Sequence, residues 1–536
     1  MKKLPLGIQN FKEIINGDYI YIDKTQYIHC LLNDYKYYFL SRPRRFGKSL
    51  LLDTVAEAFN GGKELFKGLW IYGSDYAFNK HPIIKLDLSN IPNDKPDILK
   101  YAISEDIISR AAKEDIVLTG GEPGILFKRL IESLFAKYGE RAVILIDEYD
   151  KPILDHIDDI STADVNRKIL NGFYGVLKSM DPYLRFVLIT GVTKFTKTSV
   201  FSGLNNLKDI TMSESYAEIC GIPVNDLDKY FGDYIAQIST SRTNASIRAW
   251  DYDSVKNEIL AWYDGYSWDG EAKLLNPYSL LSYLSDKKLK RYWYATGTPS
   301  FLINMIKKKP ESYLNLKNLE ITEDMLDTFE IEKIEPEPLL FQTGYLTVKE
   351  AADTKGPPVY ILDIPNYEVR DAFSTQIVSI FTESGDIKTG QAKMQIGAAL
   401  ESGDLHKMLE ILRGLFASIP YELHVKEEAY YHSIFYAVMT LLGFDMDVEV
   451  SASRGRVDAV LELDDKIYVM EFKYKKCPFS LSDIEKKMLF DSALNEAMSQ
   501  INDMGYCDKF RGSNKKIYKA AFAFLGRDDI ELRVES

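Results

Sequence analysis

The sequence predicts an α/β chain built on a parallel sheet, and two stretches predict it. Residues 37–49, YYFLSRPRRFGKS, run from an aromatic and apolar strand into a basic loop closed by Gly47-Lys48-Ser49, with helical apolar spacing over 50–59. Residues 143–150, VILIDEYD, read as a second buried strand that delivers Asp147 and Glu148 at its C-terminal end, where ligands of open α/β sheets bind. Two further apolar runs, PIIKLDL at 82–88 and RFVLI at 185–189, supply more strands. The helical pattern over 96–137 is the connection that parallel strands need.

Strand, loop and helix in that order suit a phosphate-binding loop. Backbone N–H groups turn inward on phosphate oxygens, and the helix N-terminus adds unpaired donors and partial positive charge. Lys48 then reaches the outer phosphates and the Ser49 hydroxyl a Mg²⁺ ion. The sequence departs from the usual G-x-x-x-x-G-K-[ST] pattern. Arg42 stands where glycine is usual, and Pro43 after it has no N–H to give. The arginines at 42, 44 and 45 either restore positive charge around the phosphates or face outward. Asp147 and Glu148 outweigh the departure: one carboxylate completes the magnesium site and its neighbour orients and deprotonates the attacking water. Thr190, at the end of the 185–189 strand, is the candidate sensor of the γ-phosphate, with Thr193 second. Upstream, YIDKT at 21–25 reads as a short strand before a helix over 25–32, with Asp23 and Lys24 either a structural pair or a nucleotide contact.

Composition sets the bounds. At about 100 to 200 residues per domain, a chain of 536 residues predicts three or so domains. Hydrophobic content of 46% with 27% charged residues is globular, and no apolar run reaches the roughly 18 residues of a membrane span. The N-terminus lacks a signal-peptide stretch, and Cys30, Cys220, Cys477 and Cys507 form no metal-binding spacing, so thiols in a reducing cytoplasm are expected. A net charge of −13 argues against a surface coated for non-specific DNA binding and leaves room for local basic grooves.

The motifs YIDKT, FLSRPRRFGKSL, VILIDEYD and ITGVTKF, followed by Phe201-Ser202-Gly203-Leu204-Asn205-Asn206, resemble the AAA-ATPase-like family of bacterial proteins that carry a nuclease-like C-terminal domain. RPRRFGKS is that family's own form of the loop. The resemblance implies a nucleotide-binding role for Lys48, Ser49, Asp147 and Glu148, and ATP hydrolysis with Mg²⁺. Over 213–365, WYDGY at 262–266 and NPYS at 276–279 resemble the family's helical region, and the aromatics read as packing. LLFQTGYLT at 339–347, a Lys-Gly-Pro-Pro turn and a strand over 359–364 suggest a winged-helix-like module. Glu330, Glu332, Glu335 and Glu337 before it would repel phosphates, which favours a packing role over DNA reading. Residues 366–424 read as a helical connector.

The last region, 425–536, brings a second constellation. A helix over 425–442 places Glu428 and His432 on one face. Strands over 447–451, 456–461 and 467–473 follow. In the hairpin of the last two, Glu471 and Lys473 project one way and Asp458 on the partner strand meets them. Two carboxylates and an ammonium suit a divalent cation and attack on a phosphodiester. The segment resembles the PD-(D/E)XK nuclease superfamily, with Val457 where the superfamily's name has proline. The resemblance implies Asp458, Glu471 and Lys473 as the metal and catalytic core, Glu428 as the helix carboxylate, and Gln500 and Tyr506 as followers of the core. Arg454 and Arg456 either contact phosphates or sit in a solvated turn.

The expected fold is therefore a P-loop NTPase parallel sheet with a helical lid and a winged-helix-like region, followed by an α/β PD-(D/E)XK nuclease-like domain. Its expected parts are an ATPase domain at 1–212, the helical and winged-helix-like region at 213–365, the connector at 366–424 and the nuclease-like domain at 425–536. The expected nucleotide contacts are Arg44, Arg45, Gly47, Lys48, Ser49, Asp147 and Thr190, and the expected metal ligands are Ser49, Asp147, Glu428, Asp458 and Glu471. Expected cofactors are ATP and Mg²⁺, with Mn²⁺ an option at the nuclease site. Expected partners are nucleic acid, DNA favoured, and a homo-oligomer, with no membrane. The competing expectation is a nucleotide-switched binding or signalling protein whose nuclease fold is inactive.

Overall fold

The structure, a computed structural model, describes all residues except 196–199, 202, 205, 246–249, 298–301, 303, 306–315, 317, 327–334, 353–355, 383–384, 418–434, 436–438, 440–445, 453–454, 476–481, 504, 511 and 526–528. The chain divides into two units, one formed by Met1–Leu302 with Leu316–Val369 and the other containing Arg370–Ser536.

The first unit is built on five strands, β1 (Tyr37–Ser41), β2 (Ile83–Asp87), β3 (Ala142–Asp147), β4 (Leu184–Gly191) and β5 (Lys208–Asp209). Their order in the sheet is β2-β3-β4-β1-β5, and every pair is parallel. Strands β1 and β3 are buried along their whole length, as a sheet covered on both faces requires, and so they read as continuous apolar runs. Because β4 lies between β1 and β3, the C-terminal ends of all three meet at one edge: Leu40 pairs with Thr190, and Ile146 with Ile189. Helix Lys48–Phe59 leaves β1 through Gly47, whose φ of 96° is a conformation that glycine adopts without cost. The helical region after β2 resolves into Pro96–Lys113 and Pro123–Tyr138, each opened by a proline in its first turn.

The short strand expected at 21–25 does not form. Asp23 Oδ1 accepts from Thr25 N at 2.9 Å and Thr25 Oγ1 at 2.6 Å, which starts helix Thr25–Asp34 and takes the backbone out of extended pairing. Two short strands, β6 (Ile222–Pro223) and β7 (Leu274–Leu275), pair in the helical region. There Ile222, Leu227, Phe231, Ile259 and Leu280 form a separate apolar core. Strands β8 (Leu319–Thr322), β9 (Thr347–Ala352) and β10 (Val359–Asp363) make an antiparallel sheet in the order β8-β10-β9, preceded by helix Pro336–Thr343. That helix ends at Gly344, where an added Cβ would stand 2.8 Å from Pro43 Cβ. Gln342, on the same helix, accepts from Lys194 N at 3.0 Å. The helix thus packs on the phosphate-loop strand ends.

The second unit holds a sheet in the order β11-β12-β13-β14-β15, formed by Met446–Ala452, Gly455–Glu462, Lys466–Lys475, Lys516–Leu525 and Asp529–Glu535. All its pairs are antiparallel except β13 with β14. Helices Gly385–Ser402 and Leu405–Ala417, within the segment expected as a connector, share a core with one face of the sheet through Ile396, Met408, Tyr468, Met470 and Phe522. Helix Asp483–Asp503 covers the other face through Ala497, Ile501, Ile467, Val469 and Ala521. Side chains of β13 alternate faces, so Glu471 and Lys473 share the side of Ile467 and Val469. Among the described residues no helix is long and apolar enough to cross a membrane.

Candidate functional site

In the first unit the site forms where the β1 loop meets the end of β3. Asp147, 4% exposed, takes two hydroxyl donors at once: Ser49 Oγ at 2.5 Å on one oxygen and Thr190 Oγ1 at 2.7 Å on the other. The three residues come from the loop helix, β3 and β4, and the strand order β3-β4-β1 is what makes them neighbours. Lys48 Nζ donates to Arg42 O at 2.8 Å and Pro43 O at 3.1 Å, so the loop is folded over its own lysine. A cleft of about 430 Å³ runs alongside, lined among others by Arg44, Arg45, Gly47, Lys48, Asp147 and Glu148. Glu148 has φ 51°, a left-handed conformation that costs a residue with a Cβ about 1–2 kcal/mol. Burial pushes its carboxyl up, Lys48 pulls it down, and Asp150 and Asp147 push it up again.

Arg42 does not face the cleft. It is 0% exposed, stacks on Trp268 at 4.1 Å, and donates to the carbonyls of Ser41 at 2.9 Å and Thr211 at 2.8 Å. Burial lowers its guanidinium to about 10, so it stays charged. The departure from the glycine pattern is thus a core strut. Its planar fork ties β1 to the chain after β5, which a lysine cannot reproduce. Arg42→Gly writes the usual loop glycine back in. It is expected to lower unfolding stability by about 3 kcal/mol, measured by urea titration, because it removes the stack and the donor to the carbonyls of Ser41, Thr211 and Tyr216.

Arg45 lies over the Tyr278 ring at 5.2 Å, and both line the cleft. Thr193 is committed elsewhere: its N and Oγ1 donate to Asp150 Oδ2 at 2.6 and 2.7 Å. Arg185, half-buried on β4, donates to Leu32 O at 3.0 Å. Sequence reading missed Asp87, which pairs in register with Asp147 and lines the cleft. An acid at the end of a parallel strand was the available signal. It also missed Trp293, whose Nε1 donates to Arg44 O at 3.1 Å and whose backbone N donates to Glu368 at 2.6 Å. Nothing local in the sequence marks that link.

In the second unit Asp458, Glu471 and Lys473 come together as the hairpin requires. Lys473 Nζ donates to Glu471 Oε1 at 3.0 Å, Asp458 N approaches Glu471 Oε2 at 3.4 Å, and Phe472 N donates to Asp458 Oδ2 at 2.8 Å. Burial and then the charge of Asp458 push the Glu471 carboxyl up, against the pull of Lys473. Burial lowers the Lys473 ammonium, and Glu471, with Asp458 and Glu496, carries it above its ordinary value. Gln500 Nε2 donates to Tyr506 Oη at 3.3 Å on the covering helix and the turn that follows it. Glu428, His432 and Arg454 lie outside the described residues, and so does the side chain of Arg456. Among the described residues no group of three metal-ligating side chains forms. A pair of neighbouring carboxylates, Asp458 and Glu471, still fits Mg²⁺ or Mn²⁺, hard cations that keep several waters and bind through one or two carboxylates. Ser49 and Asp147 fit Mg²⁺ for the same reason, as paired oxygen donors at the cleft wall.

Residues 5–201 match a family model described as a predicted AAA-ATPase, and residues 426–531 match one described as the PD-(D/E)XK nuclease superfamily. A curated relative, an uncharacterized protein in the vnfD 5' region of Azotobacter chroococcum mcd 1, is 34% identical over 533 residues, covering 98% of this chain and 96% of its own. Among solved structures, the ORC2 protein of Aeropyrum pernix in ADPNP and ADP complexes aligns over 68% of this chain and 98% of its own, at 10% identity and a TM-score of 0.20. With one relative aligned nearly end to end and both models matched in a single chain, the protein belongs to the AAA-ATPase-like family that carries a PD-(D/E)XK nuclease superfamily domain at its C-terminus.

Proposed function

We propose that the protein binds and hydrolyses ATP in the first unit and cleaves nucleic acid, DNA by preference, in the second, with nucleotide state controlling the cleavage. The observation that carries the reading is the double hydrogen bond to Asp147, because it gathers a loop hydroxyl and an acid at the wall of one cleft, with a threonine buried behind the acid. In this reading Lys48 leaves the carbonyls of Arg42 and Pro43 for the outer phosphates. Arg44 and Arg45 add charge at the cleft mouth, and Gly47 gives its N–H to a phosphate oxygen. Ser49 and Asp147 would hold Mg²⁺, which when bound would neutralise charge on the phosphates. Glu148 orients the water and accepts its proton, and Thr190 reports the γ-phosphate through Asp147.

In the second unit Asp458 and Glu471 would hold a divalent cation, with Glu428 the further ligand that the family resemblance implies, and the ion when bound would supply Lewis-acid polarisation of the phosphodiester. Lys473 steadies the attacking water and the developing charge. The control route is supported by Trp293, which joins the Arg44 carbonyl to Glu368 in the first turn of helix Tyr367–Thr382. That helix starts in the first unit and runs on past the division at Arg370.

Two measurements on the full chain test the reading: calorimetric titration with ATP and Mg²⁺, and cleavage of linear and single-stranded DNA with Mg²⁺ or Mn²⁺, with and without ATP. Binding together with ATP-dependent cleavage is expected. DNA bound and never cut, with ATP bound, would move the conclusion to a nucleotide-switched binding protein.

The control route also predicts a pH dependence. Glu368 is buried, accepts from Ser279 Oγ and Trp293 N, each at 2.6 Å, and burial raises its carboxyl from 4.5 to about 7. Its folded state therefore holds a proton that the unfolded state has released between pH 4.5 and 7, and stability falls as pH rises through that window. Glu368→Gln carries no such proton. The difference in unfolding free energy between variant and wild type is expected to move by about 3 kcal/mol in the variant's favour between pH 4.5 and 7. Urea titrations at three pH values check it, and a flat difference refutes it.

A further inference from the structure

Beside the phosphate loop, and sharing Pro5, Gly47, Leu50, Pro277 and Leu281 with the cleft, lies a second cavity of about 110 Å³. Its walls include Ile20, Ile22, Phe46, Leu51, Cys220 and Phe231, all apolar or thiol-bearing. One charged side chain lines it. Lys24 is 9% exposed, and among the described residues its ammonium has neither a hydrogen-bond nor an ion-pair partner. The adjacent Asp23 does not serve it. Its oxygens take Thr25 N, Thr25 Oγ1 and, at 2.6 Å, Trp70 N.

The ammonium lies over the Tyr27 ring at 6.0 Å, a distant contact that offsets little of the desolvation it suffers among apolar side chains, so without a closer partner it weakens the fold. Burial lowers it to about 8, with Glu218 and Asp226 pulling the other way, so it is still charged at neutral pH. A site of this kind is completed by a flat, mostly apolar ligand bearing one buried acceptor.

A second polar group narrows the ligand. The Thr54 hydroxyl gives its hydrogen to Leu50 O at 2.8 Å, so in the 3.4 Å contact between Tyr21 Oη and Thr54 Oγ1 the tyrosine is the donor. The Tyr21 oxygen keeps a lone pair at the cavity wall. A donor on Lys24 and an acceptor on Tyr21 match a ring that carries an acceptor nitrogen and an exocyclic amine.

We infer that this cavity takes the adenine base of the nucleotide and that Lys24 Nζ donates to one of its ring nitrogens. The inference rests on the ATP-binding reading above and adds the base-recognising residue. It also accounts for an otherwise costly lysine.

The test uses the full chain in calorimetric titrations with ATP, tripolyphosphate, and ATP analogues lacking nitrogen at ring position 1, 3 or 7. Lys24→Met is expected to weaken ATP about tenfold or more while leaving tripolyphosphate affinity unchanged. It is also expected to raise the melting temperature of the nucleotide-free protein, because the unpaired charge is gone. One of the three analogues should bind wild type about tenfold more weakly than ATP, and that deficit should vanish in Lys24→Met. Unchanged ATP affinity in the variant, a parallel loss of tripolyphosphate, or equal binding of all analogues by wild type overturns the inference. Wild type that binds tripolyphosphate as tightly as ATP overturns the base site and leaves the phosphate-loop reading standing. Failure to bind either ligand removes both.

Discussion

Asp458→Asn is expected to cut metal-dependent cleavage of DNA to below about 1% of the wild-type rate while leaving ATP affinity intact. The change removes the half-buried one of the two carboxylates without changing the size of the side chain, and Phe472 N can still donate to the amide oxygen. What is lost is charge. With Asp458 neutral, burial still raises the Glu471 carboxyl but the repulsion that adds to it is gone, and so is the demand for a cation between the two. Lys473→Met attacks the same site from the other side. It frees Glu471 Oε1 from its 3.0 Å partner and is expected to abolish cleavage while metal affinity is kept. Mn²⁺ titration of both variants separates the roles: Asp458→Asn should lose the cation and Lys473→Met should hold it. Cleavage by either variant at the wild-type rate would put the activity elsewhere.

Lys48→Ala is expected to weaken ATP by about a hundredfold, measured by calorimetry, because charge-assisted hydrogen bonds to the outer phosphates disappear. The structure adds a second consequence. The same ammonium satisfies the buried carbonyls of Arg42 and Pro43, so the variant should also lose about 1–2 kcal/mol of stability. Lys48→Met, which keeps the volume of the stem, carries the same two losses with less packing damage. An ATP affinity equal to wild type would sink the assignment of this loop. An affinity loss without any change in stability would mean that the loop does not close over its lysine in solution.

The parts of the fold legible in the sequence are those whose periodicity is local. Residues 143–147 read as a strand because every side chain is buried, and Asp458, Glu471 and Lys473 could be matched because a hairpin with a period of two brings them together by itself. What could not be read depends on distant residues. Arg42 looks like a defective loop glycine until Thr211, Tyr216 and Trp268 are in place around it. The 21–25 stretch has strand-like composition, yet Asp23 spends its carboxylate on the following helix start and on Trp70. Strands β14 and β15 escaped notice because β14 joins β13 in parallel after a helix, a pairing that no adjacent turn announces. The Trp293 bridge spans 249 residues to Arg44, which puts it beyond any motif.

Helix Tyr367–Thr382 has 16 residues and so a length of about 24 Å. Its first turn is clamped, through Glu368 and Trp293, to the carbonyl of a residue in the phosphate loop. A rod held at one end works as a lever: a tilt of about ten degrees there carries the far end through about 4 Å. On the proposed control of cleavage by nucleotide, inserting one extra turn into that helix is expected to alter the dependence of cleavage on ATP without touching the residues of either site.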